Sequence, residues 1–231
     1  MQYQLEMIGY DAILIRFTNA DNTQLLPVIY TLNQQLKNAP DLSAVIIDII
    51  PSYQTLLVSF NILKMEQYQL ADNIHAYVRR LLNTASLKSN HASPTSVDLI
   101  TIPVCYHESL APDLESLSRY AALSINDIIQ IHSSTIYSCY AIGFMPNFAY
   151  LGNVDKRIQI PRHAKPKNQV AAGSVGIADN QTAIYPKASP GGWKIIGQSP
   201  ASLARFAVGC RVTFYPISLD EFNSYDQQDD A

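Results

Sequence analysis

Two stretches in the second half of the chain decide the fold: residues 143–152, GFMPNFAYLG, and residues 161–200, PRHAKPKNQVAAGSVGIADNQTAIYPKASPGGWKIIGQSP. In and around them, short β-rich runs alternate with turns that contain proline and glycine. These runs cover residues 136–144, 181–185, 193–196 and 211–217. Short strands at this spacing predict a closed or nearly closed β-barrel.

The segment that precedes these β-rich runs predicts one strand and two short helices. Residues 99–106 form an apolar, β-rich run. Pro112 suits the first turn of a helix, because its fixed backbone angle matches the helix and its missing N–H would be unpaired there. Ser124 and Asp127 have the spacing of a capping box, which predicts the start of the second helix.

The first third of the chain predicts a separate α+β domain, an N-terminal two-layer α/β sandwich. Its periodicity predicts strands at residues 2–8, 12–18, 44–50 and 55–60 and helices at residues 23–38 and 67–82. Two amphipathic helices on one face of an antiparallel sheet are the expected packing.

The domain boundaries follow from a change in composition. Residues 83–98 are rich in serine, asparagine, threonine and alanine and have no apolar period, which is typical of a linker. We therefore predict a first domain at residues 1–85, a linker at 86–98, a barrel domain at 99–219 and an acidic tail at 220–231. The tail holds five of the nineteen acidic residues, so we expect it to be solvated.

The composition excludes several classes of protein. Charged residues make up 15% of the 231 residues and the formal net charge is −3, which argues against a general nucleic-acid binder. So few charges also suggest a surface that a partner covers. Three widely spaced cysteines predict buried thiols rather than a disulfide framework. The sequence shows no signal peptide and no apolar run of about 18 residues, so we expect a soluble, cytoplasmic protein.

Three standard chemical signatures are incomplete or absent. Residues 172–176, AGSVG, have alanine where a nucleophile elbow has its first glycine. No phosphate-binding glycine loop and no dinucleotide fingerprint occurs in the sequence. The five histidines lack the spacing of a metal site, so we expect no bound metal.

The first of the two stretches forms a rigid apolar loop, because aromatic residues and a proline lie between glycines. Such a loop suits either the lining of a pocket or the plug of a barrel end, and the sequence leaves both interpretations open. In a pocket, the contacts to a substrate would come from Phe144, Pro146, Phe148 and Tyr150.

The second stretch adds cationic and amide groups. Arg162 can bind a carboxylate or phosphate through its planar guanidinium, and Lys167 adds a point charge. An anion-binding pocket and a solvated basic face are the two interpretations of this pattern. The further candidate residues for substrate binding are Gly173, Ser174, Gln181, Tyr185 and Trp193.

His132 is a candidate catalytic residue in the segment that precedes the β-rich runs. It ends the second predicted helix, where the helix dipole favours a protonated imidazole. The alternative is a histidine that only caps the helix.

The two stretches, in this order, resemble the PxpB/KipI family, also described as allophanate hydrolase subunit 1 or carboxyltransferase subdomains C and D. The family pattern is roughly GFxPGFxYLG followed by PRxxxPRxxVPAGSVGIAGxQTGIYPxxSPGGWxxIGRTP. The resemblance extends upstream to APDLESLSRYAALS at residues 111–124 and IIPSYQTLLVSF at residues 49–60. Among the departures, Asn147 stands where glycine is usual and Lys167 replaces an arginine.

The resemblance implies an α+β domain followed by a cyclophilin-like β-barrel. It also implies one subunit of an ATP-dependent 5-oxoprolinase, which opens 5-oxo-L-proline to L-glutamate. The partners would be a PxpC/KipA-like subunit and a PxpA-like protein. ATP would be the cofactor, shared with or bound by these partners, and the chain alone would be inactive. In that reaction Arg162 and Lys167 would stabilise negative charge, Gln181 and Tyr185 would orient the substrate, and His132 would carry a proton.

The family also offers alternative functions. A KipI-like chain inhibits a sensor histidine kinase, and a low-charge surface with aromatic side chains suits protein docking as well as catalysis. A different amide-hydrolysing enzyme of the allophanate or urea type is another alternative. Prolyl isomerisation has only the analogy of the fold in its favour.

Overall fold

The structure is a computed structural model, and it describes residues 1–87, 99–200 and 206–225. The chain divides into two compact units, Met1–Ser96 and Val97–Ala231. Most of the predicted linker, residues 88–98, lies outside the described residues. The helix before it continues to Leu87, two residues beyond the predicted end of the first domain.

The first unit is a four-stranded antiparallel sheet with two helices, as the sequence predicted. Its strands are β1 (Gln2–Ile8), β2 (Ala12–Thr18), β3 (Ile46–Pro51) and β4 (Thr55–Phe60), and its helices are α1 (Asn22–Lys37) and α2 (Gln67–Leu87). The strand order is β1-β2-β4-β3, and every neighbouring pair is antiparallel.

The core of the first unit forms between one face of the sheet and the apolar stripe of each helix. Leu25, Ile29 and Leu32 of α1 are buried, as are Ile13 and Ile15 of β2, and all belong to one apolar cluster. The alternation of buried and less buried residues along β4 leaves one face of that strand for the core. The apolar residues of the helices and of the strands thus face the same core, which explains why the sequence predicts the two layers.

The second unit contains a closed seven-stranded barrel, which confirms the predicted barrel architecture. The strands of the second unit, seven of which form the barrel, are β5 (Leu99–Cys105), β6 (Ile136–Ile142), β7 (Ala149–Gly152), β8 (Lys167–Val170), β9 (Ser174–Ala178), β10 (Gln181–Ile184), β11 (Ser189–Gly191), β12 (Lys194–Gln198) and β13 (Arg211–Ile217). The barrel order is β10-β7-β6-β13-β5-β12-β9, and β9 pairs with β10 to close it. Strands β8 and β11 form a separate two-stranded sheet. The β13–β5 pair is parallel and the other barrel pairs are antiparallel.

Four of these strands were not predicted: β7, β8, β9 and β11. Strand β9 was not predicted because it contains a glycine, Gly176, which weakens the β-strand signal in the sequence. In the structure, Gly176 makes room for a neighbouring side chain. A Cβ at Gly176 would lie 3.1 Å from the Cβ of Trp193. A strand glycine that allows such close approach looks like a loop residue in the sequence.

In the described part of the second unit, a 3₁₀ helix at Lys156–Ile158 and three α-helices accompany the barrel. The α-helices are α3 (Leu114–Ala121), α4 (Ile125–Ser134) and α5 (Leu219–Tyr225). The first two were predicted, and the Ser124 hydroxyl accepts a hydrogen bond from the Asp127 amide as a helix cap. Helix α5 occupies the first part of the predicted solvated tail, and its Phe222, which follows Asp220 and Glu221 in sequence, is buried.

Two further sequence expectations concern the thiols and the membrane. All three cysteines are buried and unbridged, as predicted. Within the part of the chain that the structure describes, no helix has both the length and the apolar character needed to cross a membrane.

Candidate functional site

The second unit has a cavity of about 320 Å³ beside the two-stranded sheet of β8 and β11. Its lining residues are Phe144, Phe148, Tyr150, Arg162, His163, Pro166, Tyr185, Pro190, Gly191, Gly192 and Trp193. This volume is at the lower end of the range for ligand pockets. Both stretches that decide the fold contribute to the lining, so the apolar loop lines a cavity, and its last residues also supply barrel strand β7.

The structure brings half of the predicted site residues together. The predicted residues that line the cavity are Phe144, Phe148, Tyr150, Arg162, Tyr185 and Trp193. Those that do not line it are His132, Pro146, Lys167, Gly173, Ser174 and Gln181. Sequence reasoning did not assign a site role to His163, Pro166, Pro190, Gly191 and Gly192, although all five lie in the second stretch.

The aromatic wall of the cavity is organised around Phe148. Its ring makes edge-to-face contacts with Tyr150, Tyr185 and Trp193, at centroid distances of 4.9, 5.3 and 5.6 Å. Phe144 makes a similar contact at 5.4 Å but is 62% exposed. Edge-to-face packing fixes the orientation of each ring, so the wall is rigid apart from Phe144 at the rim.

A tight turn presents these aromatic residues. The Phe148 amide donates to the Met145 carbonyl, and the Gly143 amide donates to the Phe148 carbonyl. The turn requires left-handed backbone at Phe144 and Asn147, with φ of 70° and 64°. Asparagine tolerates this region better than most residues, which explains how Asn147 replaces the usual glycine. Its side-chain oxygen also accepts a hydrogen bond from the Phe206 amide.

Arg162 supplies the positive charge of the cavity. Its guanidinium carbon lies 5.8 Å from the centroid of the Trp193 ring, which is a cation–π arrangement. In residues 1–87, 99–200 and 206–225, no acidic side chain forms an ion pair with Arg162. A guanidinium without an ion-pair partner can bind a carboxylate through two parallel hydrogen bonds.

Tyr185 keeps its hydroxyl proton in this environment. Burial raises the pKa of Tyr185, and the opposing effects of a backbone hydrogen bond from Trp193 and of the Arg162 charge are smaller. The phenol is therefore a hydrogen-bond donor at neutral pH.

Gly173 and Ser174 hold Tyr185 in place rather than contacting the cavity. The Gly173 amide donates to the Tyr185 carbonyl at 2.8 Å, and the Tyr185 amide donates to the Ser174 carbonyl at 2.9 Å. Gly173 has a φ of 78°, which only glycine adopts without strain. Gln181 begins β10, opposite Gly152 of β7.

Lys167 is bound to an acid that the sequence pattern did not identify, Asp113. The Lys167 Nζ atom lies 2.7 Å from Asp113 Oδ2, and the Ile195 amide donates to the same oxygen at 2.8 Å. Burial raises the pKa of Asp113, but the hydrogen bonds from Lys167 and Ile195 together hold it below its usual value. The charge of Lys167 is therefore compensated by Asp113, which lies 54 residues away in sequence.

His132 lies in the barrel core, and the predicted protonated form is wrong. Its side chain is fully buried, stacks on Phe214 at 4.6 Å, and forms hydrogen bonds with the Tyr106 and Thr182 hydroxyls. Burial lowers the pKa of His132 to about 3. The loss of hydration outweighs the helix dipole, because no carboxylate of the described residues pairs with the ring to compensate a positive charge.

The histidine at the cavity is His163. Its Nδ1 atom lies 3.1 Å from Lys194 Nζ, and its Nε2 atom lies 3.0 Å from Asp113 Oδ1 in a bent geometry. Its amide donates to the Gly192 carbonyl at 2.7 Å, which ties one side of the cavity lining to the other.

Comparison with known proteins places the chain in a family. The model of the carboxyltransferase domain, subdomain C and D, matches residues 3–207. The chain belongs to this family. The carboxyltransferase subdomain C and D fold therefore comprises both the α+β unit and most of the barrel unit.

Individual relatives of this family agree with the assignment. The B subunit of the 5-oxoprolinase of Bacillus subtilis (strain 168) is 31% identical over 238 residues, which cover 99% of this chain and 98% of the relative. The crystal structure of TTHA0988 is 26% identical, with a TM-score of 0.73. The match covers 90% of this chain, which spans only 40% of that longer chain.

A more distant structure shows the same fold. The K. lactis urea amidolyase is 16% identical, with a TM-score of 0.70 over 96% of this chain and 15% of that chain. The predicted fold class, an α+β sandwich followed by a β-barrel, is thus confirmed by the family and by its structures.

Proposed function

We propose that this member of the carboxyltransferase subdomain C and D family is a subunit of an ATP-dependent 5-oxoprolinase. That enzyme opens 5-oxo-L-proline to L-glutamate while ATP is hydrolysed to ADP and phosphate. Similarity over 99% of the chain to the B subunit of a 5-oxoprolinase supports the proposal. The structural observation that carries it is Arg162, whose guanidinium lies beside an aromatic cavity of about 320 Å³.

The cavity has groups that match each part of this substrate. A lactam carboxylate would accept two hydrogen bonds from Arg162, while its flat ring would contact Phe148 and Trp193. The neutral Tyr185 hydroxyl would donate to the lactam carbonyl or to the charge that develops on its oxygen. Lys167 has no part in this assignment because Asp113 compensates its charge.

ATP would supply the phosphoryl group that activates the unreactive lactam carbonyl. We assign ATP binding to a partner subunit, because the cavity has the size of a small ligand and the sequence lacks a phosphate-binding loop. The proposed partners are a PxpC/KipA-like subunit and a PxpA-like protein. The chain alone would then bind the lactam without turning it over.

The test is glutamate release from 5-oxoproline by the chain assembled with both partners, with each component omitted in turn. In this assembly Arg162→Ala should lower kcat/KM by at least about tenfold, the effect of losing charge-assisted hydrogen bonds. Arg157→Ala is the matched control, because Arg157 is an exposed arginine of the same unit that pairs with Asp155. Equal turnover in the two variants would contradict the site, and an inactive wild-type assembly would contradict the substrate.

One observation favours a regulatory docking function as a second candidate. Phe144 is 62% exposed at the rim of the cavity, and large exposed aromatic residues are enriched at protein interfaces. Phe144→Ser should then remove kinase inhibition of the KipI type, measured as autophosphorylation of a sensor kinase. If the wild-type chain inhibits no sensor kinase, this second candidate fails.

A further inference from the structure

Asp113 is placed to act on the cavity rather than on its own helix. It precedes α3, yet its side chain makes no capping hydrogen bond to that helix. The carboxylate turns instead toward the barrel, where it binds Lys167 and the Ile195 amide. The Asp113 amide also donates to the Ile195 carbonyl at 2.9 Å, so this residue is fixed to β12 from both sides.

The two side chains that Asp113 contacts flank the cavity segment 163–167. His163 is at one end of the segment and Lys167 is at the other, and Pro166 between them lines the cavity. Ala164, Lys165 and Pro166 are exposed and form no regular secondary structure. The segment therefore depends on its two ends for its position.

The contacts of His163 also assign its tautomer. A protonated Lys194 amine can only donate, so the Nδ1 atom of His163 must accept. The hydrogen of the neutral ring is then on Nε2, which faces Asp113 Oδ1 at 3.0 Å. A carboxylate that faces one ring nitrogen fixes the orientation and the tautomer of an imidazole.

We propose that Asp113 is a positioning residue of the cavity: it holds the wall that carries Arg162 and His163, and it keeps His163 in the Nε2–H tautomer. The role in turnover rests on the proposed 5-oxoprolinase function, whereas the tautomer can be tested without it. Asp113 itself does not line the cavity, so it acts through the residues that do.

The consequence for turnover is a loss of substrate affinity. Asp113→Asn keeps the shape of the side chain but removes the charge that faces Lys167 and His163. In the assembled enzyme we expect KM for 5-oxoproline to rise by about tenfold with a kcat within about twofold of wild type. The matched control is Asp155→Asn, which removes another ion-paired carboxylate of the same unit, away from the cavity. Unchanged KM in Asp113→Asn would overturn the positioning role.

A spectroscopic test on the isolated full-length chain separates positioning from general stability. Long-range ¹H–¹⁵N spectra, recorded above the usual histidine pKa of about 6.5, report which imidazole nitrogen carries hydrogen. The variant His163→Gln identifies the His163 signals. We expect the Nε2–H form in the wild type, in Asp155→Asn and in Asp113→Asn, where Lys194 still donates to Nδ1. A mixture of tautomers is expected when Asp113→Asn is combined with Lys194→Met, because neither contact of the ring then remains.

A second variant covers the case in which Asp113→Asn does not fold. Lys194→Met removes the partner of Nδ1 and leaves Asp113 intact, so His163 should stay in the Nε2–H form. A change of tautomer in Lys194→Met would show that Lys194, not Asp113, orients the ring. An inactive wild-type assembly with the expected spectra would refute the 5-oxoprolinase function. It would still support the proposal that Asp113 positions His163.

Discussion

Two neighbouring glycines of the cavity should respond very differently to the same substitution. Gly191 and Gly192 both line the cavity, and neither has a positive φ. A Cβ at Gly191 would lie 2.9 Å from two ring carbons of Tyr185, Cε1 and Cζ, and would also overlap its hydroxyl oxygen. At Gly192 the nearest atom is Pro166 Cγ, at 3.8 Å, which is ordinary van der Waals contact.

The cost of Gly191→Ala follows from the packing of Tyr185. The ring is 1% exposed and packs against Phe148, so it cannot move away without disturbing the aromatic wall. Overpacking of this kind destabilises a protein by about 1–3 kcal/mol. For a unit of this size, such a loss lowers the melting temperature by roughly 4–12 °C. Gly192→Ala should stay within about 2 °C of the wild type, because the added methyl group meets no clash.

The chain provides its own probe for this experiment. Trp193 is the single tryptophan and lies in the cavity wall, so its fluorescence during heating follows the barrel unit alone. Lactam turnover by the assembled enzyme should fall with Gly191→Ala, since a displaced Tyr185 narrows the cavity. Equal melting temperatures for the two variants would show that Tyr185 moves at no cost, and the packing argument would then be refuted.

Two further predictions concern stability. Gly173→Ala should destabilise the barrel unit by more than about 2 kcal/mol in urea unfolding, because φ is 78° and the new Cβ would overlap the Ser199 carbonyl; a loss below about 0.5 kcal/mol, typical of a surface change, would contradict this. The folded-state pKa of His132, about 3, lies below the usual value near 6.5, so the unfolded chain binds the proton first as the pH falls. The free energy of unfolding should therefore drop by about 2 kcal/mol between roughly pH 7 and pH 5 on account of this residue. His132→Gln should lose that part of the pH dependence, and an unchanged slope would argue against a neutral, buried ring.

The sequence predicts the first unit well because its signals are local. In α1 and α2 the apolar residues recur at helical spacing, and in β2 and β4 they alternate or run continuously toward one core. Helix α1 also has a defined start, because the Asp21 side chain accepts a hydrogen bond from the Gln24 amide. Local periods and caps determine element type, and two helices over one sheet leave few ways to pack.

The barrel was predicted as an architecture, but several of its strands were not. Strands β7, β8, β9 and β11 have three to five residues each, and each contains a glycine or a proline or directly follows a proline, so they look like turns in the sequence. Gly173 was predicted to bind substrate, and residues 172–176 were compared with a nucleophile elbow. In the structure, Gly173 permits a left-handed turn and Gly176 makes room for Trp193, so both serve packing.

The two histidines show why the site could be predicted only in part. A position at the end of a helix made His132 the candidate, but its hydration is lost inside the barrel and no acid of the described residues replaces it. His163 lies in a basic run without any pattern of its own, yet the fold brings Asp113 to it from 50 residues upstream. Burial and charge compensation depend on contacts that are distant in sequence, whereas residue type and spacing are local. For this reason the sequence pointed to Arg162 and to aromatic residues of the cavity lining, which lie within the two fold-deciding stretches. It did not point to Asp113, whose contacts are with Lys167, His163 and the Ile195 amide.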